Sequence, residues 1–115
     1  MNKIFLHLEG FAVLSISLYF YGFNQFSWIL FFVLLFSPDL SILGYLYNNK
    51  IGAIIYNLFH TYFIAILVII CGLLFNNHVV LAIGLIWSAH IGMDRMIGYG
   101  LKYPTAFKDT HLSRV

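Results

Sequence analysis

Two residues four apart, His90 and Asp94, stand in an otherwise mainly apolar stretch. That separation puts them on one helix face, where an imidazole and a carboxylate can share a metal ion or hydrogen-bond to each other. His60 stands in a second apolar stretch, with Asn57 and Thr61 on its face, and Asp39 follows Ser37-Pro38 in a third. Two imidazoles and two carboxylates suit zinc, with iron or manganese at higher coordination numbers. Left unpaired in a bilayer, four such groups cost on the order of 10 to 14 kcal/mol on insertion scales. A divalent ion returns a comparable sum, about 10 to 16 kcal/mol for structural zinc. Internal pairing offsets less, since Arg95 is the one cation at that depth, although neutral, hydrogen-bonded histidines remain an alternative.

The remaining polar groups are harder to place. Arg95 is rotated away from Asp94, so it can face Ser88 and Tyr99, pair with Glu9, reach toward headgroups or hold an anionic group. Asn57 and Thr61 are placed to support the ligands from behind. His7 and Glu9 lie about 200° apart around a helix, so they do not enter one compact site together. His7 and the tail residue His111, which can fold back over the mouth of the site, are additional candidate ligands.

The elements that must position these groups follow from composition. The chain has 115 residues, 62% of them hydrophobic and only 9% charged. A soluble domain carries about 25% charged residues, so a soluble enzyme and a disordered chain are excluded. A net charge of +2 gives no argument for nucleic acid. The lone Cys71 allows no internal disulfide. A membrane helix needs about 20 apolar residues, and four such spans fit, at about 4–23, 26–47, 51–75 and 79–101. They leave a short polar tail at 102–115. Backbone groups in lipid must be paired internally, which selects helices. The expected fold is an all-α bundle of four transmembrane helices running up-down-up-down, as one integral membrane domain over 1–115. Ser37-Pro38-Asp39 breaks the second helix, with serine as N-cap, proline at the first helical position and aspartate in the first turn.

Lys3, Lys50, Arg95, Lys102, Lys108 and Arg114 all fall at one end of such a bundle, and the connections near Asn24 and Asn76 carry no Lys or Arg. The positive-inside rule makes the basic end cytoplasmic, with both termini inside the cell membrane. At 1.5 Å per residue, Glu9, Asp39, His60, His90 and Asp94 all lie within about 9 to 17 Å of that end. Four segments thus put polar groups in one layer.

The string resembles the small bacterial membrane family catalogued as domain of unknown function 4260. The likeness is carried by Ser37-Pro38-Asp39-Leu40-Ser41, by Asn57-Leu58-Phe59-His60-Thr61-Tyr62, and by Trp87-Ser88-Ala89-His90-Ile91-Gly92-Met93-Asp94-Arg95. More distantly, the motif order is similar to that of YdjM-type membrane-bound metal-dependent hydrolases. That group usually shows His-Arg-Gly where this chain has Asn57-Leu58-Phe59. The resemblance implies a metal site on Asp39, His60, His90 and Asp94, with His7 as an addition. It also implies metal-assisted hydrolysis, here expected on a lipid-soluble or membrane-associated ester or phosphoester. Glu9, deeper in the first span than His7, is the expected general base for a metal-bound water. Two other classes stay open. One is a proton- or ion-conducting transporter subunit with Glu9, Asp39, His60 and Asp94 as a relay. The other is a structural or partner-binding membrane subunit, including a homo-oligomer, in which the polar layer only locks packing.

Overall fold

The computed structural model describes residues 2–104, 108 and 110–114. Four helical spans are long and apolar enough to cross a membrane, which makes the chain a multi-pass membrane protein. The first is a single helix, α1 (Asn2–Phe23). The second joins α2 (Trp28–Leu34) to a 3-10 segment (Ser37–Leu46). The third joins α3 (Asn49–Phe59) to α4 (Tyr62–Leu74), and the fourth is α5 (His78–Ile97). Among the described residues the only β pairing is an isolated antiparallel bridge between Lys102 and Thr110.

Local chemistry sets the ends. Ser27, Asn48 and Asn77 each turn a side-chain oxygen to the free backbone N–H groups that open α2, α3 and α5. The turn residues Gln25 and Asn76 take positive φ. Gly98, at φ 109°, closes α5 in the left-handed conformation that glycine accepts without strain. The fourth helix therefore stops at Ile97 and not at Leu101.

Both middle spans are broken. In the second, Pro38 lacks the N–H that a first turn would leave unpaired anyway, and Ser41 Oγ donates to the Pro38 carbonyl at 2.7 Å. Phe36, not Ser37, occupies the cap, and no side chain bonds there. A 3-10 helix rises about 2.0 Å per residue against 1.5 Å for an α-helix, so the 19-residue span still covers a hydrocarbon core of about 30 Å. The third span was expected as one helix, and it is not. Its 26 residues would reach about 39 Å if straight, well past that thickness. The break at His60-Thr61 takes up the excess.

Packing follows the breaks. α5 is the central element, with α1, α4 and α2 around it, whereas α3 packs against the 3-10 segment. At the α1–α5 crossing a Cβ on Gly92 would lie 2.7 Å from the Leu14 nitrogen and 2.8 Å from the Gly10 carbonyl oxygen. Only glycine allows this approach. At the end carrying the Asn24 and Asn76 turns, Tyr21, Phe31, Leu35, Leu81, Leu85 and Ile86 form the apolar core. The tail is not merely polar. It folds back on the opposite end, with Leu112 fully buried and Lys102 and Thr110 nearly so.

Candidate metal centre

Asp39 leaves the 3-10 segment, His60 stands at the break between α3 and α4, and His90 and Asp94 come from successive turns of α5. The break in the third span thus carries His60 to the seam between the α5 group and the α3 pair. One ligand atom from each of the four lies within 4.8 Å of all the others. His60 Nε2 is 3.2 Å from Asp39 Oδ1, 3.5 Å from Asp94 Oδ2 and 3.2 Å from His90 Nε2. His90 Nε2 is 3.2 Å from each of the same carboxylate oxygens. Zinc bonds of about 2.0 to 2.2 Å in a tetrahedron put neighbouring ligand atoms about 3.3 to 3.6 Å apart. These five contacts lie close to that spacing.

Proton counting points the same way. His60 Nδ1 is 2.9 Å from the Tyr56 carbonyl oxygen and donates to it, which leaves a lone pair on Nε2 of the neutral ring. The two Nε2 atoms cannot both carry hydrogens and face each other at 3.2 Å. One or two protons cannot serve five mutual contacts among four acceptor atoms, whereas a single central cation serves them all. A charge-assisted N–H to carboxylate bond is typically about 2.7 to 2.9 Å, shorter than any contact here. The donor set therefore fits a divalent metal ion.

Behind the ligands the support is aromatic and cationic. The Tyr56 ring stacks on His60 with centroids 3.7 Å apart and planes 5° from parallel. Arg95 Nη2 donates to the His60 carbonyl at 2.9 Å, and Trp87 Nε1 donates to the Phe59 carbonyl. Two α5 side chains thus satisfy carbonyls that the break in the third span sets free, as lipid-embedded backbone requires. The cation also complements the dipole at the end of α3. His90 is packed edge-on against Phe36, and its Nδ1 has no hydrogen-bond partner. A buried orphan of this kind costs about 1 to 3 kcal/mol, small beside the roughly 10 to 16 kcal/mol that a bound structural zinc ion would return. His60 and His90 are fully buried and the Asp94 side chain is 9% exposed, but that of Asp39 is 39% exposed. Access is on the Asp39 side.

The other expected residues lie elsewhere. Asn57 bonds the Lys102 backbone through both amide atoms, donating at 2.8 Å and accepting at 2.7 Å, and so anchors the tail instead of backing a ligand. Thr61 opens α4 and makes no side-chain cap. His7 Nδ1 bonds the Met96 carbonyl at 2.7 Å. Glu9, Arg95 and His111 line a separate small cavity with Thr61 and Tyr62. Glu9 is not brought to the four ligand atoms, and no Glu9–Arg95 ion pair forms. His111 does fold back, its Nδ1 accepting from the Leu101 N–H at 2.8 Å. Burial and the Arg95 guanidinium hold its imidazole below the ordinary histidine range. Burial likewise lowers the Lys102 ammonium, against the opposing pull of Asp94 and Asp39.

Sequence reasoning missed Tyr56, Trp87 and Lys102, whose Nζ stands 4.4 Å over the Tyr56 ring. Tyr56 was findable as the residue four before His60 on the same helix face. Trp87 and Lys102 carry no comparable signal, because their partners are set by how the spans cross.

A helical membrane bundle with a largely buried His2Asp2 cluster, open on the Asp39 side, is the class that fold and site define. The family model described as a domain of unknown function (DUF4260) matches residues 3–115, and the chain belongs to that family. No curated protein and no solved structure matches it. The match brings in no YdjM-type hydrolase.

Proposed function

We propose that Asp39, His60, His90 and Asp94 hold one divalent metal ion, zinc before iron or manganese, and that the centre serves hydrolysis of a membrane-associated ester or phosphoester. The observation that carries the metal is the set of five contacts of 3.2 to 3.5 Å among four acceptor atoms that proton counting cannot satisfy. A bound ion of this kind supplies Lewis-acid activation of water and of a carbonyl or phosphoryl oxygen. Hydrolysis needs a coordination position open to water, which four side-chain donors leave only if the ion takes a fifth ligand or Asp39, the most exposed of the four at 39%, gives way. An apolar cavity of about 660 Å³, lined by Pro38, Gly44, Ile55, Phe59, Ile86 and Trp87, lies beside the chain segments that carry Asp39 and His60. It suits the acyl part of a lipid-soluble substrate. The basic residues near this end argue for the cytoplasmic half of the cell membrane, with both termini inside. A proton relay across the membrane would need polar links through the turn end, where the packing is the aromatic and aliphatic core.

Metal analysis of the detergent-purified full chain tests the centre, with Asp39→Ala and His90→Ala beside the parent. One ion per parent chain and background metal in both variants is the expected result. Equal metal in all three rejects the site. Turnover of a lipid-soluble nitrophenyl ester or phosphodiester by the loaded parent tests the chemistry. Metal without turnover on either class keeps the centre and removes the hydrolase.

A further inference from the structure

Where the tail meets α1 and α5 there is a second polar site, and none of the four ligands lines it. Its volume is about 240 Å³, against the 10 to 15 Å³ or so that holds one water by the same measure, so it has room for a group of many atoms. Arg95 lines it while 6% exposed, and spends two guanidinium N–H groups on the Tyr99 and His60 carbonyls. No carboxylate among the described residues comes within ion-pair reach of that guanidinium. The Tyr62 hydroxyl, on a ring 5.7 Å from the Arg95 guanidinium carbon, is buried without a hydrogen-bond partner. His111 accepts through Nδ1, so in its neutral form Nε2 carries a hydrogen to donate. A Cβ on Gly100 would stand 2.6 Å from His111 Nδ1, so glycine is what lets the ring sit there. Across the same cavity Glu9 supplies a carboxylate. A bare anion would be repelled by Glu9, and a bare cation by Arg95.

We propose that this cavity binds the phosphate–ammonium unit of a phosphoethanolamine group, the phosphate against Arg95, Tyr62 and His111 and the ammonium against Glu9. Such a unit bridges two opposite charges that line one cavity without touching, and it gives the buried guanidinium the anion it lacks. Glu9 lies about 10 Å inside the start of α1, close to the headgroup boundary. The site stands without the metal.

The test is lipid retention by the detergent-purified full chain in native mass spectrometry. Phosphatidylethanolamine and phosphatidylglycerol with matched acyl chains are the lipid probes, and soluble O-phosphoethanolamine and inorganic phosphate are the competitors. The parent is expected to prefer the ethanolamine lipid by about three- to fivefold, the effect of one half-exposed ion pair. Glu9→Gln should abolish the preference while leaving metal content unchanged. Arg95→Gln should weaken retention of both lipids more than about tenfold. If Arg95→Gln does not fold, the Glu9→Gln comparison alone decides. Displacement by soluble phosphoethanolamine but not by phosphate confirms that the pocket reads the zwitterion. Binding of the soluble compound with no lipid preference assigns the site to a free phosphoethanolamine. Equal retention of both lipids with no binding of the soluble compound, or a preference that survives Glu9→Gln, overturns the proposal.

Discussion

At the turn end of the bundle, α5 sets Leu81, Leu85 and Ile86 against Tyr21, Phe31 and Leu35, and the Tyr21 ring meets Phe26, Trp28 and Phe31 at centroid distances of 5.0 to 5.4 Å. Within the next three turns, the same helix presents Ser88, His90, Asp94 and Arg95, all buried. Between helices in lipid the hydrophobic effect contributes little, since lipid tails are as apolar as leucine. The turn end is therefore held by close packing and ring geometry, and the opposite end by directional polar contacts. Helices also differ in what they do at the two ends. α1 and α5 run unbroken through both, while the second and third spans each break part-way along, at Leu35-Phe36 and at His60-Thr61. The unbroken α5 presents His90 and Asp94, and the broken spans bring Asp39 and His60 to them.

Removing the ion should separate the two ends most sharply. Metal bound at 1,000 times its dissociation constant adds about 4 kcal/mol, so a chelator should lower the melting temperature by on the order of 10 °C or more. The same chelator should leave a His90→Ala variant unmoved, and an equal shift in both would break the comparison. Next in size is Gly92→Ala. Its new Cβ meets backbone at 2.7 Å and must push α1 from α5, at a cost of about 1 to 3 kcal/mol. Because His90 and Asp94 flank Gly92, metal affinity should fall with stability. Truncating Phe31 to Ala at the turn end should cost about 2 kcal/mol, below the usual figure for a soluble core because lipid competes for the ring. Metal content should stay at the parent level, and its loss would show that the ends are not independent. The smallest effect belongs to Asn57→Ala, which removes two bonds to the Lys102 backbone, worth about 1 to 2 kcal/mol together. Faster amide exchange at Lys102, with the ion still bound, is the expected reading.

Much of this was legible from residue types. Asp39 after Ser37-Pro38 announces a break, because proline cannot continue a helix ladder and aspartate suits a first turn. His90 and Asp94 share a face by their spacing alone. The break at His60 was not legible. No proline or glycine marks it; the 26-residue span is longer than the bilayer thickness, and its two halves pack against different partners. Asn57 was misjudged for a related reason. It was expected on one helix face with His60 and Thr61, but α3 ends at Phe59, and its partner is tail backbone distant in sequence, which no local periodicity records.

The order of apolar and polar residues along the chain decided that it crosses a membrane four times and that its costly polar groups fall in one layer. Both follow from transfer energies and helix rise, which are properties of single segments. Tertiary structure alone decided that four of those groups converge on a common centre while Glu9 and Arg95 line a second cavity. Convergence depends on where each span bends and how closely α1 can approach α5, and those are relations between segments.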